Sequence, residues 1–271
     1  MKRFLGITAV ALALATAGAL AAGAAFRWFA VRRDRSAGQQ AFDRREFAVA
    51  ASRFRSALER DPRSLEARLS LAQAYAAQFV PGGESDANRS LAESALAEYQ
   101  RLLEADPGNR AAIHGTAVLY EGQSRCEDAV TWYRRLVALD PGSADAHASL
   151  SAAELTRVAD AILDARARAG LAPDGGGPIG DGALAGELSG RWSEPIETGI
   201  AEASKALSID TSHEAAMATL SAWHRVRADL AMTIDRHRDE LAAAESWRQK
   251  ALAIRRTRPA PPVQAAAEAA R

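Results

Sequence analysis

Between residues 110 and 141 the apolar positions recur at spacings of three and four, which predicts two amphipathic helices joined by a short turn. The pattern is carried by Ile113, Thr116, Ala117 and Tyr120 in the first segment and by Ala129, Tyr133 and Leu136 in the second. Small residues alternate with aromatic ones on the apolar faces. The two helix backbones can therefore approach closely while the rings fill the space above and below.

The end of this helical pair repeats a phrase found earlier in the chain. LLEADPGN covers 102–109 and LVALDPGS covers 136–143, so Pro107 and Pro141 are separated by 141 − 107 = 34 residues. Apolar spacing of this kind occurs in any helical hairpin, and an ordinary amphipathic hairpin is the alternative interpretation. The recurring phrase favours a repeat, because a unit that cannot bury its apolar face alone stacks on copies of itself.

The 34-residue unit resembles the tetratricopeptide repeat. With Arg110 as position 1, Ala117 occupies position 8, Tyr120 position 11, Ala129 position 20, Tyr133 position 24 and Pro141 position 32, as that family's pattern requires. The resemblance implies an all-α fold, a tetratricopeptide-type α-solenoid of about four to five helix–turn–helix repeats.

The same arithmetic divides the rest of the chain. We expect repeats at 37–63, at 64–108 and at 109–142, with a fourth beginning after that and running to 169. The interval from Pro62 to Pro107 is 45 residues, or 34 plus 11, which places an insertion in the second repeat. Residues 170–192 are predicted to form a flexible loop, since 170–190 holds 8 of the 19 glycines. Residues 193–257 are expected to form degenerate helices, and 258–271 a disordered tail.

The N-terminal segment predicts a membrane anchor. Lys2 and Arg3 precede an uncharged run of 23 residues from Phe4 to Phe26, long enough to cross about 30 Å of hydrocarbon. We expect an anchor within 1–30 and a charged linker at 31–36. The alternative is a secretory signal cleaved near Ala24.

Charge next to this run gives conflicting indications of orientation. Lys2 and Arg3 favour a cytoplasmic N-terminus, whereas four arginines follow the run: Arg27, Arg32, Arg33 and Arg35. We expect a single-pass protein of a bacterial inner membrane with its repeats in the periplasm. A cytoplasm-facing repeat domain, or export after cleavage, remains open.

Composition and motifs argue against several chemical functions. The chain has 34 basic and 34 acidic residues, without the basic stripe of a nucleic-acid-binding protein. Its single cysteine, Cys126, cannot form an internal disulfide. His213-Glu214 resembles a zinc-protease motif, but Met217 stands where the second histidine is required. His224 and His237 are interpreted as polar helix positions. We therefore expect no catalytic residues, no metal and no cofactor.

The resemblance implies a peptide-binding groove lined by positions 2, 5, 9 and 12 of each first helix. These are Glu66, Leu69, Gln73 and Ala76 in the second unit, Ala111, His114, Val118 and Glu121 in the third, and Asp145, Ala148, Ala152 and Leu155 in the fourth. Such an apolar, small-residue groove with acidic rims suits an amphipathic helix or an extended segment. The alternative is that these residues only face solvent or meet the glycine-rich loop.

These patterns predict a membrane-anchored, non-enzymatic protein that binds a protein or peptide partner, in a scaffolding or assembly role in the bacterial cell envelope. The alternative is an accessory or regulatory subunit of an envelope enzyme complex, or an enzyme with its site in the glycine-rich loop. The identity of the partner and the oligomeric state are not encoded in any motif of the chain.

Overall fold

A computed structural model describes residues 25–172, 178–180 and 182–257, and this part of the chain is all-α. It contains ten helices: α1 (25–43), α2 (Phe47–Arg60), α3 (Leu65–Ala76), α4 (Asp86–Ala105), α5 (Arg110–Gly122), α6 (Cys126–Leu139), α7 (Ala144–Arg168), α8 (Gly182–Ile209), α9 (Glu214–Asp229) and α10 (Ile234–Thr257). The helices follow one another in pairs as in a tetratricopeptide-like solenoid, and three of them are longer than the rest: α7, α8 and α10 have 25, 28 and 24 residues.

The chain divides into two compact units, Met1–Gln123 and Ser124–Arg271. The boundary lies between α5 and α6, in the middle of the third predicted repeat. Unit 1 contains α1 to α5 and unit 2 contains α6 to α10.

One short turn recurs wherever a second helix ends and the next first helix begins. The residue that starts each new helix donates its backbone N–H to the carbonyl of an aspartate three positions earlier. The pairs are Ser64 and Asp61 at 3.2 Å, and Asn109 and Asp106, Ser143 and Asp140, and His213 and Asp210 at 3.1 Å each. The side chain of that first residue then accepts an N–H of the new helix. The same turn forms at 210–213, where Thr211 occupies the position that proline has in the other turns.

Aromatic rings lie directly on glycines in unit 1. A Cβ on Gly38 would lie 2.6 Å from the ring of Phe54, and a Cβ on Gly115 would lie 2.4 Å from the ring of Tyr99. Only a residue without a side chain allows these helices to approach so closely. Tyr99 is buried, and burial raises the pKa of its phenol to about 12.

Unit 2 has a polar network at the centre of its core. The indole Nε1 of Trp223 donates to the Ser151 hydroxyl at 3.0 Å, and that hydroxyl donates to the carbonyl of Gly199 at 2.6 Å. A Cβ on Gly199 would lie 2.1 Å from the indole ring. These three residues join α7, α8 and α9. Around them lie Val158, Ile162, Leu188, Ile196 and Val226.

The predicted loop at 170–192 is wrong for residues 182–192, which form the start of α8. Three glycines there cost roughly 2–3 kcal/mol of helix stability in total. Burial of Leu188 and Ile196 alone contributes about 3–6 kcal/mol, so packing outweighs the entropy of the glycines. Residues 173–177 and 181 lie outside the described residues.

The segment just before that gap is also held in place. Arg166 is 1% exposed, forms an ion pair with Asp229, and donates from Nε to the carbonyl of Ala172 at 2.9 Å. The backbone N–H of Ile179, on the other side of the gap, donates to the carbonyl of Asp229 at 2.8 Å. Both flanks of the gap are thus attached to the end of α9.

The predicted linker at 31–36 is wrong, because these residues belong to α1. Asp34 is buried and accepts a hydrogen bond at 2.7 Å from Arg60 of α2, so the charged sequence packs as part of the first helical pair. Most of the predicted anchor, residues 1–24, and the predicted tail, 258–271, lie outside the described residues. Within the part that is described, no helix combines the length and apolar character needed to span a membrane.

Two glycines of α8 offer a direct test of the close packing in unit 2. We expect Gly199→Ala to destabilise the protein by about 1–3 kcal/mol, because the new methyl group collides with Trp223. Gly190→Ala is the matched control: nothing lies within 4 Å, so we expect it to stabilise by about 0.5–1 kcal/mol. Urea unfolding of both variants measures the difference. Equal free energies of unfolding would contradict this packing.

Candidate functional site

The first helices of unit 1, which are α1, α3 and α5, present a continuous set of side chains that we call the first-helix face. α3 contacts α5. Arg35 of α1 forms an ion pair with Glu66 of α3. Side chains on these three helices therefore lie next to one another and can contact one bound segment together.

The contribution of α1 was not predicted from the sequence, which was interpreted as a linker at 31–36 followed by the first repeat. With Gly38 at position 8 of its repeat, positions 2, 5 and 9 are Arg32, Arg35 and Gln39. Counting positions within the repeat, which identified the other groove residues, could therefore have predicted that α1 contributes to the groove. The structure places all three residues on the first-helix face.

A depression of about 540 Å³ lies at the α1 end of this face. Its lining residues are Trp28, Val31, Arg32, Arg35, Ser36 and Gln39 of α1, with Phe54, Asp61, Ser64 and Ser70. Hydroxyl, amide, guanidinium and carboxylate groups thus line this depression together with the side chains of Trp28, Val31 and Phe54. Arg32 lies over the ring of Trp28, with its guanidinium carbon 5.4 Å from the ring centroid.

The predicted residues of α3 and α5 are accessible to different degrees. Glu66, Gln73, Ala111, His114 and Val118 are exposed. The remaining three, Leu69, Ala76 and Glu121, are half-buried. The structure therefore brings these eight predicted residues onto neighbouring helices of one unit. Their role in binding stays a prediction.

Buried polar groups fix the elements that carry this face. Asp34, with a side chain only 3% exposed, ties α1 to α2 through Arg60. Asn88 is buried and anchors the insertion: its amide accepts from the N–H of Val80 at 2.8 Å and donates to the carbonyls of Val80 and Gly83. The side chain of Ser85 caps α4 by accepting the backbone N–H of Asn88.

The predicted groove residues of unit 2 are less suited to binding. Ala148 is buried against Ala206 and Ala216, so it does not line an open surface, contrary to the prediction. Leu155 is partly buried against the Trp223 core. Ala152 is half-buried, and Asp145 is exposed and lies 3.0 Å from Nε2 of His213. Alanine at successive positions allows α7 and α9 to approach, which closes the face that larger residues would hold open.

Unit 2 has two cavities of its own. One of about 460 Å³ lies between α8 and the α9–α10 turn, and includes Ile196, Leu230 and Met232. The other, of about 840 Å³, is lined by the starts of α7 and α9 and by Arg255.

Histidines in unit 2 have structural roles. Nδ1 of His213 accepts the N–H of Ala216 as the cap of α9. His237 is buried and donates from Nδ1 to the carbonyl of Ala228 at 2.8 Å, so its prediction as a polar helix position is wrong. His224 bonds to Glu240 at 2.7 Å. Within residues 25–172, 178–180 and 182–257, no three His, Cys, Asp or Glu side chains are grouped to hold a metal ion.

Comparison with known families identifies the repeats. Residues 35–109 and 80–144 match the family model described as tetratricopeptide repeat. These matches cover the first three helical pairs apart from the start of α1. Residues 35–144 of the chain are therefore similar to tetratricopeptide repeats.

Solved structures with the same fold include several named MamA. "MamA 41-end from Desulfovibrio magneticus RS-1" is 14% identical, with a TM-score of 0.55, and the match covers 85% of this chain and 98% of that one. "MamA RS-1 ArsTM double mutant" is 14% identical, with a TM-score of 0.54 and coverage of 84% and 96%. "Crystal structure of MamA protein" is 14% identical, with a TM-score of 0.51, and the match covers 83% of this chain and 91% of that one. No curated protein matches the chain. At these identities the similarity shows a shared fold.

Proposed function

We propose that this protein binds a segment of another protein on the first-helix face of unit 1 and acts as a non-catalytic scaffold or assembly factor of the bacterial cell envelope. The observation that carries the proposal is the 540 Å³ depression at the α1 end of a face that also exposes Gln73, His114 and Val118. Concave surfaces are typical binding sites, and their polar groups fix the orientation of the bound segment.

The chemistry of the face indicates what kind of segment it fits. Toward α5 it is partly apolar, with Val118 44% exposed and Ala111 exposed about two turns earlier on the same helix, and its charged group is the half-buried Glu121. Toward α1 it carries Arg32 and Arg35, the second already paired with Glu66. We expect an extended or helical segment with an apolar side chain near Val118 and an acidic group near Arg32. This face is already ordered by tertiary packing. The conformational entropy lost on binding therefore comes mainly from the partner.

The same proposal includes a membrane anchor. The uncharged run from Phe4 to Phe26 has the length of a membrane-spanning helix and leads directly into α1. We propose a bacterial inner-membrane location with the repeats in the periplasm. A reporter that is active only after export, fused after Arg271, tests on which side of the membrane the repeats lie. Activity is expected, and an inactive reporter in stably expressed full-length protein would contradict the periplasmic placement.

Site-specific cross-linking tests the binding face. A photo-cross-linking amino acid at position 73 or 118 of the full chain should capture the same partner from native membranes. The same amino acid at Val49 of α2 should capture none of it. Val118→Asp should lower the amount of co-purified partner roughly tenfold or more, because it replaces an apolar contact with a charge.

Val49→Asp is the matched control, since Val49 is 48% exposed and also lies in unit 1. A partner that cross-links equally from position 49, or that is unaffected by Val118→Asp, would rule out the first-helix face. An enzymatic turnover that survives Val118→Asp and Gln73→Lys would instead favour a catalytic role elsewhere in the chain.

A further inference from the structure

The first turn of α1 exposes four apolar side chains. Residues 25–29 are all exposed, including Phe26 at 77%, Trp28 at 61% and Phe29 at 67%. Successive residues of a helix are rotated by about 100°, so five consecutive positions cover the full circumference. Packing into unit 1 begins only at Ala30 and Asp34, which are buried.

The three rings share one side of the helix. Around the helix axis, Trp28 lies about 200° from Phe26, and Phe29 lies about 100° further on, so the rings fall within an arc of about 160° that excludes Arg27. The boundary between lipid headgroups and hydrocarbon surrounds a helix on all sides, and tryptophan is enriched there.

Charge at the same place fits an anionic lipid surface. Between residues 27 and 35 four arginines accompany one aspartate, a local charge of 4 − 1 = +3. Arg27 is exposed, and the Arg33 side chain is 67% exposed. Arginines at a membrane surface interact with the phosphate groups of anionic lipids.

The length of the segment also agrees with the thickness of a headgroup layer. Phe26 and Arg33 are separated along the helix by about 10 Å, and a headgroup layer is about 5–8 Å thick. An arginine side chain can extend toward the phosphates over the remaining distance. The uncharged run of the sequence ends at Phe26, where the exposed rings begin.

We propose that residues 25–33 form an interfacial collar that lies in the headgroup layer of an anionic phospholipid bilayer. The rings of Phe26, Trp28 and Phe29 lie at the edge of the hydrocarbon, and Arg27 and Arg33 bind lipid phosphates. This proposal rests on the proposed membrane anchor and deepens it. Because Trp28 and Arg32 also line the 540 Å³ depression, the collar places the α1 end of the first-helix face at the membrane surface.

The test uses the full chain reconstituted in vesicles of phosphatidylcholine and phosphatidylglycerol. The difference in emission between the protein and its Trp28→Phe variant isolates the signal of Trp28. In two matched preparations, either phosphatidylglycerol or phosphatidylcholine carries bromine close to the headgroup at equal mole fraction. We expect both to quench Trp28, and the brominated anionic lipid to quench it roughly twofold more or better.

In the double variant Arg27→Gln and Arg33→Gln the preference for the anionic lipid should disappear, with a quenching ratio of about one. The control pair Arg53→Gln and Arg63→Gln changes two exposed arginines elsewhere in unit 1 and should leave the ratio unchanged. Equal loss of preference in both pairs would overturn the collar, because it would show a general effect of net charge.

Flotation of the same vesicles separates this proposal from the membrane anchor. Protein that floats with the vesicles while Trp28 is not quenched would overturn the collar and leave the anchor standing. Protein that does not float would overturn the anchor, and the collar with it. Trp28 quenched equally by both lipids in the unmodified protein would refute the role of the arginines.

Discussion

The close approach of helices at glycine, with an aromatic ring lying on the bare backbone, is the contact on which both units depend. Phe54 on Gly38 and Tyr99 on Gly115 join helices of unit 1, and Trp223 on Gly199 joins helices of unit 2. A helical pair of this kind cannot bury its apolar face alone, so each ring must find its small residue on a neighbouring helix.

The same packing explains why the candidate site lies in unit 1. There the first helices carry large or polar side chains at their outward positions, such as Arg35, Gln73 and Val118, and the face stays open. In unit 2 the corresponding positions are alanines, and Ala148 is buried against Ala206 and Ala216. Small residues let helices approach, and close approach removes the surface that a partner would need. Two stretches of one fold thus differ in accessible surface through the size of a few side chains.

The sequence predicted the helices of the middle repeats well, because their signals are local. The DP turn, the N-cap residue and the small–aromatic spacing all fall within a few residues of one another, and the turn forms even at Asp210, where the proline is absent. The start of α8 could not be predicted in this way. Its glycines indicate a loop locally, and the burial of Leu188 and Ile196 that stabilises the helix depends on contacts with distant elements.

The site was predicted in part for a similar reason. Counting positions located Glu66, Gln73, His114 and Val118, all of which are exposed on neighbouring helices. Counting could not show that Ala148 would be covered, since that depends on how closely α8 and α9 approach α7. Counting does place Arg32 and Arg35 on a first helix, but it could not show that Asp34 is buried there, because its partner Arg60 lies 26 residues away.

Titration of Tyr99 tests the ring-on-glycine packing most directly. Its ionisation can be followed by ultraviolet absorbance, as the difference between the protein and its Tyr99→Phe variant. Burial favours the neutral phenol in the folded state, so this residue should ionise at about pH 12. The stability that the neutral phenol contributes should be present below about pH 10, the pKa of an unfolded tyrosine, and be lost as the pH rises toward 12. Ionisation of Tyr99 near pH 10 in the folded protein would show that the ring is not buried against Gly115, and would contradict the account.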